Sequence, residues 1–199
     1  MIIFLKMGTA DKVKWDARYE GKKAPGEPAD FLQMIFSGSS WVIPPGRSLD
    51  VATGRGRNAL FLARMGFTVD AIDISTEGLR QGKARATVMG LSLNWIEADL
   101  ARFPFPDSAY GLILNVNFLD RLLIPQIKKA LEPGGYVIFD TYLIDQQNLG
   151  HPRNPAFLLQ HNELLTLFKD YRILCYREGK FSDSGKESFR AQLLGQKPV

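Results

Sequence analysis

The chain has 199 residues, 45% of them hydrophobic and 23% charged, which suits one folded domain with a sizeable core and excludes a disordered chain. Twenty-five basic against 21 acidic side chains leave a net charge of +4, scattered without the basic stripe that nucleic acid would require. One cysteine excludes a disulfide framework and fits the cytoplasm, two histidines make no metal cluster, and no run approaches the roughly 20 apolar residues of a membrane span.

At the N-terminus, MIIFLK (1–6) is too short for a secretory leader, and Met7 serves equally well as a start, with the first six residues an extension. In KVKWDARYE, Trp15 and Tyr19 stand at helical spacing, so residues 1–46 read as a helical cover ahead of a core over 47–199, all in one domain. SLDVA (48–52) is a short strand, followed by a glycine loop and a helix through Asn58–Met65 that stops at Gly66. FTVDAID (67–73) is the next strand. Ser75 then caps a helix running toward Gly90, with Glu77 as a first-turn acid. LNWIEAD (93–99) is the third strand, and Pro104 and Pro106 break the chain after it.

YGLILNV (110–116) is nearly all apolar, as a central strand covered on both faces requires. A helix over Asp120–Leu131 ends at EPGG, and YVIFDTY (136–142) is the fifth strand. After a helix at 161–169, DYRILCYRE and ESFRAQLLGQ alternate like strands around the turn-rich GKFSDSG, an antiparallel hairpin in which Cys175 is a small core residue. The order predicts an α/β fold: a doubly wound, mostly parallel, Rossmann-like sheet of seven strands with a C-terminal antiparallel hairpin.

Between the first strand and its helix, Gly54-Arg55-Gly56-Arg57-Asn58-Ala59 matches G-x-G-x-x-G/A. Such glycines turn the chain sharply and bring bare backbone against a ligand, while the helix start offers free N–H groups. Steric need at a tight turn explains the pattern too. The acids narrow the choice. Asp73 ends the second strand, where a carboxylate takes ribose hydroxyls in nicotinamide and methyl-donor enzymes alike. Asp50 sets a negative charge where a dinucleotide carries its pyrophosphate, but it suits a ligand bearing an ammonium and a sulfonium. Asp99 stands at the end of the third strand, in position for an adenine amine. Three acids at three successive strand ends mark the edge where open α/β sheets bind ligands.

LDVATGRGRNALFLARMGFTVDAIDIS resembles the glycine-rich region of class I S-adenosylmethionine-dependent methyltransferases, and the terminal hairpin is similar to that family's own. KWDARY, GRGRNALFLA, LEPGGYVIFDTY and ELLTLFKDYRILCYREG resemble the small tellurite-resistance-type members. The resemblance implies S-adenosylmethionine as cofactor, with Asp50, Gly54 and Gly56 around its methionine part and Arg57 and Asn58 fixing the loop. It implies Asp73 on the ribose, Ile74 against the adenine, Asp99 and the Leu100 backbone at the adenine edge, and Asn115 near the methyl group. The family's usual acid in the fourth strand is absent, Tyr110-Gly111 standing there instead.

Methyl transfer asks mainly for alignment and exclusion of water, so no metal or nucleophile set is needed. Asp16, Tyr19, Asn117, Asp120, Arg121, Tyr142, His151 and Arg153 are the substrate-side candidates, with Tyr19, Arg121 and His151 foremost. NVNF (115–118) lacks the prolines of amino-methylating DNA enzymes, and a surface for a flipped base is missing. The expectation is methyl transfer to a small-molecule nucleophile: a thiol, chalcogen oxyanion, phenol or amine. A nicotinamide-dependent oxidoreductase and a non-catalytic cofactor-binding protein are the alternatives.

Overall fold

A computed structural model describes residues 8–21, 26–38, 41–183 and 186–199; the MIIFLK segment and Met7 lie outside the described residues. Two helices come first, α1 (Thr9–Tyr19) and α2 (Asp30–Ser37). The alternating part follows as β1 (Arg47–Val51), α3 (Arg57–Arg64), β2 (Thr68–Asp73), α4 (Thr76–Val88), β3 (Asn94–Glu97) and β4 (Tyr110–Val116). A 3-10 turn at Arg121–Leu123 leads into α5 (Ile124–Ala130) and β5 (Leu131–Tyr142). Then come α6 (Gln146–Leu149), a second 3-10 turn (Pro155–Phe157), α7 (Glu163–Leu167), β6 (Arg172–Asp183) and β7 (Lys186–Gln196).

The strands form one seven-stranded sheet in the order β3-β2-β1-β4-β5-β7-β6. Strands β1 to β5 run parallel, and β7 pairs antiparallel with both β5 and β6. This is the architecture read from the sequence, the order reversing at β1 and β4. That reversal opens a crevice at the carboxyl ends of the strands.

Alternation along each strand loads both faces. Leu49, Val51, Ile113, Val137, Phe139 and Leu193 pack with Ile124, Ile127, Leu164 and Phe168 from α5, α7 and the residue after it. On the other face Ala71, Leu112, Leu114, Ile138 and Leu194 meet Phe31, Leu32 and Ile35 of α2 and Ala59 and Leu62 of α3. Burial on both sides explains why β4 is a continuous apolar run.

Several boundaries differ from expectation. The helix expected over Asp120–Leu131 is a 3-10 turn followed by a short α5, because Pro125 forces a fresh first turn. Strand β5 begins at Leu131, through the EPGG stretch, where Tyr110 is its ladder partner. Helix α7 is shorter than 161–169. GKFSD, read as part of a turn, is strand: Lys180 to Asp183 pair in register with Phe189 to Lys186, so ladder bonding overrides its turn-like composition. β3 stops at Glu97, which leaves Asp99 in the loop beyond it.

At the amino ends of four neighbouring strands one buried acid gathers a web. Asp70 of β2 accepts from Arg47 Nη2 of β1 at 2.8 Å, Tyr110 Oη of β4 at 2.9 Å and Asn94 Nδ2 of β3 at 3.0 Å. The Arg47 guanidinium also lies over the Tyr110 ring. Removing the acid strands a buried phenol. Asp70→Ala is expected to cost about 2 kcal/mol in urea unfolding, since the buried Tyr110 hydroxyl loses its acceptor while half-exposed Arg47 turns to water. Because the web lies at the edge away from the crevice, ligand affinity should not change.

Candidate functional site

The turn after β1 passes three times through left-handed backbone: Ala52 at φ 53°, Gly54 at 59° and Gly56 at 74°. Only glycine takes this without cost, so Ala52 marks strain held at the strand end. Close packing makes the glycines irreplaceable for a second reason. A Cβ on Gly54 would come within 2.6 Å of the Tyr19 hydroxyl, and one on Gly56 within 2.4 Å of the Trp95 ring. Gly56 caps α3 without a side chain.

Two acids organise this turn. Asp50, 1% exposed and next to last in β1, accepts from Thr53 Oγ1 and from the Ala59 backbone N–H in the first turn of α3. Asp73, at the end of β2, accepts from Gly54 N at 2.7 Å and Ser75 N at 2.9 Å, so one carboxylate joins the turns after β1 and β2. Burial pushes the Asp50 carboxyl up to about 7, and the nearby Asp73 charge adds to the shift. Burial raises Asp73 as well. The site therefore holds two covered carboxyls with hydrogen bonds but, among the described residues, no closely paired cation, an arrangement that favours a positively charged ligand.

The remaining loop residues tie the N-terminal segment to α3. Arg57 Nη1 donates to Glu27 O at 2.9 Å, and Asn58 Oδ1 accepts from Ala29 N at 2.9 Å. Ile74 and Leu100 are buried beside the strand ends. Asp99 spends Oδ1 on the Ala101 backbone N–H and keeps its other oxygen. Asn115, buried at the end of β4, donates Nδ2 to Phe118 O at 2.7 Å, which leaves Oδ1 as the open end of the amide.

The substrate-side candidates separate. Tyr19 lies on Gly54 and stacks with Trp15 at 5.8 Å; burial and then the Asp73 charge push its phenol up to about 12. Asp16 is committed to docking α1, accepting from Ser75 Oγ at 2.6 Å and Glu77 N at 3.0 Å. Arg121 is committed too. It forks onto Glu163 at 2.5 and 2.8 Å and donates to the carbonyls of Ala156 and Leu158, pinning the 156–163 loop. Asp120 caps the 3-10 turn through Leu122 N. His151 and Arg153 are exposed in the loop after α6. Asn117 and Tyr142 meet Arg190, which sequence reasoning missed: its partners sit 73 and 48 positions away. Lys12, Gln81 and Glu97 were missed as well; Lys12 Nζ reaches Glu97 Oε1 at 2.7 Å and Gln81 Nε2 reaches Tyr19 O at 2.8 Å, completing the dock of α1.

Comparison with known proteins agrees with this geometry. Residues 49–135 match the family model described as a methyltransferase domain. An uncharacterized protein of Mycobacterium tuberculosis is 39% identical over 84 residues, 42% of this chain and 31% of that one. The demethylmenaquinone methyltransferase of Thermus thermophilus is 33% identical over 101 residues, 47% of this chain and 46% of that one. The chain thus spans less than half the length of these relatives. Among solved structures, TehB from Haemophilus influenzae superposes with a TM-score of 0.68 at 21% identity, over 94% of this chain and 66% of that one.

The raised carboxyls set a direction for stability against pH. Asp16, Glu77, Glu97, Glu163 and Asp170 are held low, so what they contribute is complete above about pH 5 and lost only in acid. Asp50 acts the other way: its contribution is present below about pH 4 and lost as pH rises toward 7, and Asp73 is shifted in the same direction. His161, raised by Asp145 at the surface, adds a loss of the same sign at higher pH. The ligand-free melting temperature should therefore fall between pH 5 and 7.5, and Asp50→Asn should flatten most of that slope. An equal slope in the variant would assign the effect elsewhere.

Proposed function

We propose that this chain belongs to the class I S-adenosylmethionine-dependent methyltransferases and transfers a methyl group to a small-molecule nucleophile. The observation that carries the reading is the pair of buried carboxyls, Asp50 and Asp73, beside a bare glycine loop. A pyrophosphate would meet like charge there. S-adenosylmethionine brings an ammonium and a sulfonium, and ionised Asp50 suits both. Gly54 and Gly56, packed under Tyr19 and Trp95, turn the loop so that its backbone can face the methionine part, while Arg57 and Asn58 brace it.

Asp73 takes backbone donors from Gly54, Ser75 and Ile74 and keeps acceptor capacity that suits ribose hydroxyls. Ile74 offers a flat apolar contact for the adenine, and Asp99 with the Leu100 backbone its polar edge. Asn115 would lie near the methyl group, its amide nitrogen held by Phe118 O. When bound, the cofactor supplies a methyl carbon on sulfur that an in-line nucleophile takes, the electron pair of the broken bond staying on sulfur. The chain's own work is alignment: α1 with Tyr19 covers the loop and keeps water out.

Among the described residues, none of the substrate-side candidates is poised as a base. Arg121 is spent on Glu163, and His151 is exposed. A nucleophile that arrives ionised needs none, so the rate should follow the acceptor's own ionisation. The acceptor class that fits is a small thiol, chalcogen oxyanion, phenol or amine. One relative is named demethylmenaquinone methyltransferase, which adds a further kind of acceptor to be tried.

The first test is binding. S-adenosylhomocysteine at about 100 times its dissociation constant should stabilise the fold by about 2.7 kcal/mol, and NAD should leave it unmoved. Stabilisation by NAD alone would sink the reading. Asp73→Ala should weaken cofactor binding by on the order of 2 kcal/mol in calorimetry. It should also lower the melting temperature, because the same carboxylate joins two turns.

A further inference from the structure

The sheet face beneath α2 changes character toward the carboxyl edge. One row across β5, β7 and β6 is apolar: Ile138, Leu194 and Cys175 stand in register. Two residues on, the row is Asp140, Gln192 and Arg177, and the next is Tyr142, Arg190 and Gly179. Directly opposed residues of antiparallel strands point to the same face with Cβ atoms roughly 5 Å apart, so these rows make one polar floor.

Half of the floor is satisfied from within. Arg190, 3% exposed, donates Nε to Asp140 Oδ1 at 2.6 Å and Nη2 to Asn117 Oδ1 at 2.6 Å, with its guanidinium over the Tyr142 ring. The Asp140 charge is thereby cancelled. The other half is not. Gln192 is 4% exposed, and its buried Oε1 has no hydrogen-bond partner. Across the ladder, half-buried Arg177 donates Nη1 to Met34 Sδ at 2.9 Å and lies against the rings of Phe31 and Phe181. Thioether sulfur is a weak acceptor, and among the described residues no carboxylate pairs with this guanidinium. Among the described residues, two guanidiniums and one carboxylate leave one positive charge uncompensated in a partly desolvated place.

We propose that Arg177 and Gln192 recognise an anionic group, a carboxylate or its equivalent, carried by the methyl acceptor; this rests on the methyl-transfer reading above. The guanidinium fork matches two anionic oxygens. No partner fixes which end of the Gln192 carboxamide faces outward, so Nε2 is available to the same anion. The floor adjoins the transfer point. Arg190 binds Asn117, two residues beyond Asn115, and because a guanidinium only donates, it takes the Asn117 amide oxygen and leaves Nδ2 outward at the exposed strand end. For packing alone, an apolar residue at 192 would serve better than an orphaned amide.

The test uses the protein saturated with S-adenosylhomocysteine, which has no methyl to give, so binding is read without turnover. Two thiols serve as probes in NMR titrations: 3-mercaptopropionate, which carries a carboxylate, and 2-mercaptoethanol, which does not. The wild-type complex should bind the first at least about tenfold more tightly, as a charge-assisted hydrogen bond at a partly buried site implies. Arg177→Met and Gln192→Leu should each erase that margin while S-adenosylhomocysteine affinity stays unchanged. Gln192→Leu should be as stable as the parent or more so, which a merely structural glutamine would not combine with lost selectivity. Equal binding of the two thiols by the wild type, or a margin that survives in either variant, overturns the proposal. Failure of the wild type to bind S-adenosylhomocysteine would sink the methyl-transfer reading instead.

Discussion

The geometry of the crevice depends on one carboxylate accepting from two backbone N–H groups. Asp73 fastens Gly54 and Ser75, and so locks the turn after β1 to the turn after β2. Everything nearby inherits that lock. Gly56 is held against Trp95, α3 starts at a fixed angle, and Ser75 is set to cap α4 by accepting from Gly78 N. Ser75 in turn donates to Asp16, which brings α1 across the loop. The order of dependence runs from a strand-end acid, through two loops, to the helix that covers them.

The same strand shows how differently an acid serves at its two ends. Asp70 and Asp73 are three residues apart on β2, and both are buried. Asp70 is saturated by a guanidinium, a phenol and an amide, and holds four strands together. Asp73 and its neighbour Asp50 have backbone and hydroxyl donors but no fork of positive charge, and burial keeps both carboxyls reluctant to ionise. Saturation makes a girder; under-saturation leaves chemistry for a ligand. Gln192 and Arg177 repeat the second pattern on the other side of the sheet's midline.

How much of this is legible in the sequence follows from how local each signal is. Asp50, Asp73 and the glycines stand at strand ends, and strand periodicity places them without knowledge of any partner. The seven strands and their alternation are legible for the same reason. Arg121 reads as an open cation because Glu163, which consumes it, is 42 positions away. GKFSDSG reads as a turn because glycine and serine dominate it, whereas the cross-strand ladder decides the conformation of its first five residues, GKFSD. Gln192 and Arg177 carry no motif at all. They become a pair only once the register of β6 on β7 is known.

The N-terminal helix α1 has no fully buried residue, and its attachment runs through Lys12, Asp16 and Gln81 and the half-covered Trp15 and Tyr19. Lifting it away would uncover little hydrocarbon. Apolar exposure is what makes unfolding strongly curved in temperature, so this opening carries a small heat-capacity change. Its equilibrium is set instead by charge: Lys12 with Glu97 and Asp16, all partly exposed and open to screening. The cover over the crevice is thus governed by ionic strength more than by warmth, while the sheet beneath it obeys the opposite rule.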